Sequence, residues 1–553
     1  MIKNYKWILG GLILVNIGLF VFANRDEALG NSATVRGREV EVIVDDFSGG
    51  ITDNKNTNDY RFSQMLKNFE VRDGRLIPYR DSEAGDVVGS DTFNIREIQA
   101  FTFGNNQLWG YGVPHGQSQA QASTSVAVFN KVSSALTTGS WTDPVSSSTS
   151  LGNRNTDLFI HYKNFIYGAS GLSDGTIWRH GDITATAANR TTASWQTIAF
   201  TNIAQGVWHS KDDNLYIPYD NKILKFDGGT GEIITEALVL PTDKVINSIV
   251  EYGHYLAIGT ATIYESVTGV SPSVVYLWDR DTSLTGVNEI IDWGTGSLEI
   301  LGVVDGFLVG ISHSPVQASG GDAPSFNSKI TIRVYDGQKA VKLFELTGDT
   351  PYTAQDLEGA AIKHGEGLYF PLAITIDGTL HEGIWKLYRP SPQAGFILTL
   401  DRTPDDNTVL TSRRIFDMFF WDDYLFIAYR NGNQIAVSKT NDLPSYTASS
   451  TIESVFYGDG IHQNILKSIG VVTEPIPQGG QIDILYKVDG DRAWTLATTS
   501  RNIGSMFTEI ISNERDAAIF PQFTKAKFKF DSTGNATTTG YRIKYEILDN
   551  LKN

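Results

Sequence analysis

Between about residues 95 and 450, apolar and polar positions alternate in short runs. No long segment there carries the three-to-four-residue spacing of an amphipathic helix. Instead a loose unit recurs: a strand, a short polar turn, a second strand rich in Tyr, Ile and Gly, a variable loop, and a third strand ending in an aromatic residue followed by Asp, Arg or Asn. The second strands stand out, as in Gln107-Leu-Trp-Gly-Tyr111, Asn164-Phe-Ile-Tyr-Gly168, Asn214-Leu-Tyr-Ile-Pro218, Tyr255-Leu-Ala-Ile-Gly259, Phe307-Leu-Val-Gly-Ile311, Gly367-Leu-Tyr-Phe370 and Tyr424-Leu-Phe-Ile-Ala428. The turns before them hold Gly104-Asn105, Asp212-Asp213, Tyr252-Gly253, Asp305-Gly306, Gly365-Glu366 and Asp422-Asp423. Asn, Asp and Gly suit tight hairpins because they tolerate positive φ. Third strands follow as Thr176-Ile-Trp178, Ile223-Leu-Lys-Phe226, Val275-Tyr-Leu-Trp278, Ile332-Arg-Val-Tyr335 and Ile384-Trp-Lys-Leu-Tyr388. A period of roughly 40–60 residues in an all-β chain predicts a β-propeller of about seven blades.

Past residue 454 the pattern changes. Gln481-Ile-Asp-Ile-Leu-Tyr-Lys-Val488 and Lys525-Ala-Lys-Phe-Lys-Phe530 alternate, Asp489-Gly490 turns the chain, and Gly540-Tyr-Arg-Ile-Lys-Tyr-Glu-Ile-Leu548 alternates again. One apolar and one charged face per strand predict a C-terminal antiparallel β-sandwich. The N-terminus differs from both. Lys3 and Lys6 precede an apolar run from Trp7 to Ala23, and Arg25, Asp26 and Glu27 follow. This predicts an N-terminal hydrophobic helix, read either as a cleaved signal peptide or as a membrane anchor, with membrane association through residues 7–23. The expected division is 1–30 signal or anchor, 31–94 arm and entry hairpin, 95–453 propeller and 454–553 sandwich. Loops 112–124 and 137–155, rich in Ser, Thr, Gly and Gln, are expected as insertions on one face.

Composition narrows the chemistry. The 553 residues carry 45 Lys and Arg against 62 Asp and Glu, a formal charge of −17, which argues against wrapping duplex nucleic acid. Cysteine is absent, which excludes disulfides, thiolate metal sites and thiol nucleophiles. No phosphate-binding glycine loop, nucleophile elbow or His-Glu-x-x-His sequence occurs. The nine histidines (His115, His161, His180, His209, His254, His313, His364, His381 and His462) are scattered, and none pair at four-residue spacing. Of the adjacent carboxylates Asp45-Asp46, Asp212-Asp213 and Asp422-Asp423, the last two fall in expected hairpin turns. Single copies of Gly253-His254 with Trp278-Asp279, of Phe226-Asp-Gly-Gly-Thr-Gly231 and of Ser173-Asp-Gly-Thr-Ile-Trp178 mimic WD-repeat, quinoprotein and sialidase Asp-box signatures. True members carry several copies, so turn geometry accounts for these. No catalytic, cofactor-binding or metal-binding residue is assigned, and no cofactor is expected. An axial pocket is assembled from all blades, and a sequence does not show which side chains point there.

One stretch resembles a known group. Asp46-Phe47-Ser48-Gly49-Gly50-Ile51 is followed by Leu66-Lys-Asn-Phe-Glu-Val-Arg-Asp-Gly74 and Arg75-Leu-Ile-Pro-Tyr-Arg80. The phrase is similar to the opening of tail nozzle, or tail tubular, proteins of short-tailed bacteriophages. The resemblance implies a non-enzymatic structural subunit of the virion. Its partners would be other tail or virion proteins and copies of itself in a ring of six, with DNA passing through without sequence-specific binding. The hydrophobic N-terminus departs from that pattern. Two further readings therefore stand beside it: an exported or membrane-anchored propeller that binds glycan or protein, and a propeller glycoside hydrolase.

Overall fold

The computed structural model describes residues 38–47, 50–51, 60, 62–72, 75–78, 82–87, 95–114, 127–131, 141–142, 158–170, 175–185, 191–262, 272–283, 286–314, 327–349, 361–376, 379–390, 395–403, 413–421, 424–431, 434–440, 449–491, 493–511 and 522–548. The N-terminal hydrophobic segment, most of loops 112–124 and 137–155, and the Asp422-Asp423 pair lie outside them. Every regular element described is a strand. Among the described residues no helix is long and apolar enough to cross a membrane. The chain divides into two compact units, residues 80–445, and residues up to 79 together with those from 446 on.

The larger unit is a seven-bladed propeller. Among the described residues, seven runs of four antiparallel strands follow one another, six of them as separate four-stranded sheets. Their first strands are Ile95–Gly104, Phe159–Tyr162, Val207–His209, Lys244–Tyr252, Ser297–Val304, Ile362–His364 and Arg413–Trp421. Each turns into its second strand through a tight hairpin. Asn105, Lys163, Asp213 and Asp305 adopt positive φ there, as do Gly253, Gly306 and Gly365. The third strands end where the sequence places an aromatic residue and an aspartate, and the structure shows why. Asp227 Oδ1 accepts the amides of Gly229 and Thr230 at 2.8 and 2.9 Å, and Asp336 Oδ1 those of Gln338 and Lys339 at 2.9 Å each. These carboxylates shape the turn into the fourth strand, and the same backbone bonds hold both pKa values below the ordinary range.

The ring closes by a device the sequence does not announce. The seventh blade takes three strands from residues 413–440, and its outermost strand is Ser82–Val87, paired with Gln434–Thr440. The first strand of blade seven then lies beside that of blade one. Of the 31–94 segment expected as an entry arm, Ser82–Val87 thus belongs to the propeller and closes it, while residues up to 79 belong to the smaller unit.

Between blades the packing is apolar. Trp109, Trp178, Trp278, Trp293 and Trp385 are fully buried. Gly168 exists to make room: a Cβ there would stand 2.1 Å from Cζ2 of Trp178. Charged clamps add to this. Arg280, just past the third strand of blade four, donates Nε to Asp212 Oδ2 of the preceding blade at 3.0 Å. Arg389, in the corresponding place on blade six, meets Asp305 of blade five at 2.6 Å.

The smaller unit is the expected sandwich. One sheet orders Arg38–Val44, Thr538–Leu548, Gln463–Thr473 and Phe507–Ile511. The other orders Phe62–Lys67, Ser449–Ser454, Ala526–Thr533, Gln481–Val488 and Thr495–Ser500. Phe530 of one stacks on Tyr541 of the other at 4.8 Å, beside buried Phe47. Phe62–Lys67 is a strand whose register is broken once. A bulge between Ser63 and Met65 lets both Met65 and Leu66 bury. The hairpin expected beyond it forms, with Phe69–Arg72 paired to Arg75–Pro78.

Candidate active site

The first strand of each blade runs along the propeller axis, so its residues at one register form a ring. One residue before the hairpin, the seven blades present Phe103, His161, Trp208, Glu251, Val303, Lys363 and Phe420. None of the seven is buried, and Trp208 is 49% exposed. These positions form the rim of the first strands at their hairpin end. Four of the seven side chains are aromatic.

Deeper in, the register slips. The first strands of blades one, four, five and seven each carry a bulge that skips one residue, five positions before the last pair: Gln99, Asn247, Glu299 and Phe416. Bulges re-aim side chains. In blades four and five they bring Asn247 and Glu299 together. Asn247 Nδ2 donates to Glu299 Oε2 at 3.3 Å and to Ser297 Oγ at 3.2 Å. A cavity of about 510 Å³ opens beside them. Ser248, Glu251, Glu299 and Val303 line it from blades four and five, Gln205 from blade three and Lys363 from blade six.

Most polar groups of this cavity are already engaged. Gln205 both donates to and accepts from the backbone of Phe159 at 2.9 Å. Ser248 Oγ accepts the amide of Leu301 at 3.1 Å. The Glu251 carboxylate takes the amide and hydroxyl of Ser210 at 3.2 and 2.9 Å. Two groups are left over. Glu299 Oε1 is buried and has no hydrogen-bonding partner among the described residues. Lys363 is exposed and carries no ion pair among them.

Glu299 is 1% exposed, and desolvation dominates its titration. Burial lifts the carboxyl from 4.5 to about 7, against the opposing bonds from Ser297 and Asn247. At neutral pH a substantial fraction is the uncharged acid, with a proton to give. A pocket of this size containing one strongly perturbed acid has the character of a functional site. Glu251 is the only other carboxylate among the described lining residues. It lies four residues nearer the rim, roughly 13 Å along the strands, beyond the spacing of a paired-carboxylate site.

The residues weighed from sequence are elsewhere or structural. Asp212 is more than a turn former. Its carboxylate accepts from Tyr216 at 2.7 Å and from Arg280, and it meets Nδ1 of the buried His209 at 3.1 Å. Burial pushes its pKa up, but the bonds from Tyr216 and Arg280 bring it below the usual range. Asp213 holds Trp208 Nε1 at 3.0 Å and Lys163 at 3.1 Å. Asp279 accepts from Asp281 and Asn288 within its own loop. Trp178 of the box-like segment is core, while Ser173 and Asp174 lie outside the described residues. His115 also lies outside them. Among the described residues no cluster of His, Asp and Glu could hold a metal.

Glu299 escaped the sequence reading because only adjacent acids were weighed there. Its signal was a lone carboxylate inside Ser297-Leu-Glu-Ile-Leu301, an otherwise apolar strand.

No protein family matches the sequence, and no curated protein does. Solved structures do match. A glycoside hydrolase is 10% identical over 84% of this chain and 99% of its own, with a TM-score of 0.29. A luciferin-regenerating enzyme is 9% identical over 53% and 92%, at 0.30. The extracellular domain of a one-component system from B. thetaiotaomicron is 11% identical over 63% and 52%, at 0.30. None of these is a phage tail protein, and the tail resemblance is corrected accordingly. Packing accounts for its residues: Phe47, Leu66 and Phe69 are sandwich core, and Asn68 takes a positive φ that Asn tolerates. The expectation of a non-enzymatic protein came from that resemblance and falls with it; two of the matched proteins are themselves named as enzymes. At such identities and TM-scores the likenesses carry no activity over to this chain.

Proposed function

We propose that the chain is an exported propeller hydrolase acting on glycans, and that Glu299 is its general acid. The observation that carries the reading is a pocket-lining glutamate whose buried Oε1 has no partner among the described residues and whose carboxyl is lifted to about 7 by burial. An acid with a pKa near the working pH is suited to protonate a leaving oxygen. Glu299 gives its proton to the glycosidic oxygen, the bond to the anomeric carbon breaks, water adds to that carbon, and the proton that the water sheds passes to solvent and restores the acid form of Glu299. Asn247 holds the other carboxylate oxygen and fixes the direction of the transfer. Trp208, 49% exposed, offers an apolar ring face on which a sugar ring can stack. Export is supported by the basic-then-apolar order of residues 3–23.

The test is release of reducing ends from a panel of polysaccharides and aryl glycosides. The intact chain should cleave at least one of them, with kcat/KM falling as pH rises through about 7, where Glu299 loses its proton. Glu299→Gln should abolish cleavage. No turnover across the panel, or full turnover by the variant, would remove the reading.

A further inference from the structure

We infer that the ligand of the axial pocket is an acidic oligosaccharide whose carboxylate or sulfate is held by Lys363. The inference rests on the proposed hydrolase only for the role of Glu299; the binding it describes stands apart from turnover.

The lining side chains differ in what their polar atoms already hold. Gln205, Ser248 and Glu251 spend their polar atoms on the propeller itself. Lys363 does not. It is the only cation among the described lining residues, and unlike Lys222, Lys329, Lys342 and Lys527 it has no carboxylate partner among them. An ammonium group left unpaired in a concave wall is an anion site awaiting its anion. Glu251 stands at the same register two blades away, but its carboxylate is turned to Ser210 of the preceding blade. Among the described residues no ion pair joins the two charges.

Register also sets the length of the ligand. Lys363 lies one residue before its hairpin and Glu299 five before its own, so their levels differ by roughly 13 Å along the axis. A single sugar cannot carry an acid group at one level and a scissile bond at the other. The ligand is a chain of several sugars, with the acidic one toward the rim. Specificity is expected to be real because the chain as a whole, at −17, repels polyanions.

The test is calorimetric binding of tetrasaccharides to the full chain carrying Glu299→Gln, which prevents turnover. Three probe series are used: uronate tetrasaccharides, sulfated tetrasaccharides, and the carboxyl-reduced neutral forms of the first. The inference predicts tighter binding of one or both acidic series than of the neutral forms. It predicts that Lys363→Ala costs that series about tenfold or more while leaving the neutral forms unchanged. Lys363→Arg should retain binding. Whether the uronate or the sulfate series responds identifies the anion. Equal binding of acidic and neutral forms, no binding of any, or indifference of the acidic series to Lys363→Ala overturns it. Lys363-dependent binding by a chain that cleaves nothing would instead leave this inference standing and remove the hydrolase. Cleavage of neutral glycans unaffected by Lys363→Ala would do the reverse.

Discussion

Replacing Glu299 by Gln should change how stability depends on pH, and the size of the change follows from its burial. The carboxyl titrates at 4.5 when unfolded and at about 7 in place. Its folded pKa is raised, so the neutral form suits the native state and the penalty grows as pH rises. That penalty begins near pH 4.5, where the unfolded chain starts to lose the proton, and levels off above about 7, where the native state loses it too. A shift of about 2.5 units at 1.36 kcal/mol each is worth about 3 kcal/mol between those limits. Gln keeps the shape and can still accept from Asn247, but does not titrate. Unfolding free energy of the propeller, from urea curves at pH 4, 6 and 8, should therefore match the parent at pH 4. The variant should exceed it by about 2 kcal/mol at pH 6 and about 3 kcal/mol at pH 8. A constant offset across the range would refute the reasoning, because it would mean that Glu299 is ionised and solvated in the native pocket.

Other consequences follow from the blade architecture. Asp212→Ala leaves Tyr216, Arg280 and His209 without their shared acceptor and should cost about 2 kcal/mol in a denaturant titration; no loss would mean the clamp between blades three and four is idle. Gly168→Ala drives a Cβ into Trp178 and should destabilise by about 2–3 kcal/mol, read from the same curves. Asp86→Pro removes a donor from the strand that closes the ring. Amide exchange in Gln434–Thr440 should then accelerate while that of blade four is unchanged; uniform protection would argue against closure by Ser82–Val87.

The propeller was legible because its constraints are local. A hairpin between first and second strands needs positive φ, and Asn105, Asp213, Gly253 and Asp305 advertise it. A turn after the third strand needs a short acceptor, and Asp227 and Asp336 supply it. Closure was not legible. Ser82-Glu-Ala-Gly-Asp-Val87 has no apolar alternation and becomes a strand only because the edge at Gln434–Thr440 lacks a partner. The acid of the pocket was half legible. A glutamate between Leu298 and Ile300 is out of place in a buried strand, but nothing local says that a bulge turns it toward Asn247 of the preceding blade. Similarly, Lys363 looks like any exposed lysine until its register places it on the rim with Glu251. The phrase around Phe47 and Leu66 misled for the opposite reason: its residues are set by a strand, a bulge and a hairpin, which unrelated chains can share.

The account stands or falls on a proton held in the axial pocket at neutral pH. Carboxyl-labelled glutamate, followed by carbon NMR across pH 4 to 9 and assigned by the loss of one signal in Glu299→Gln, measures it directly. The account predicts that this signal titrates at about 7 and that an oligosaccharide bound in the pocket perturbs it. Titration at the 4.5 of an ordinary glutamate, with no response to any sugar, would contradict it.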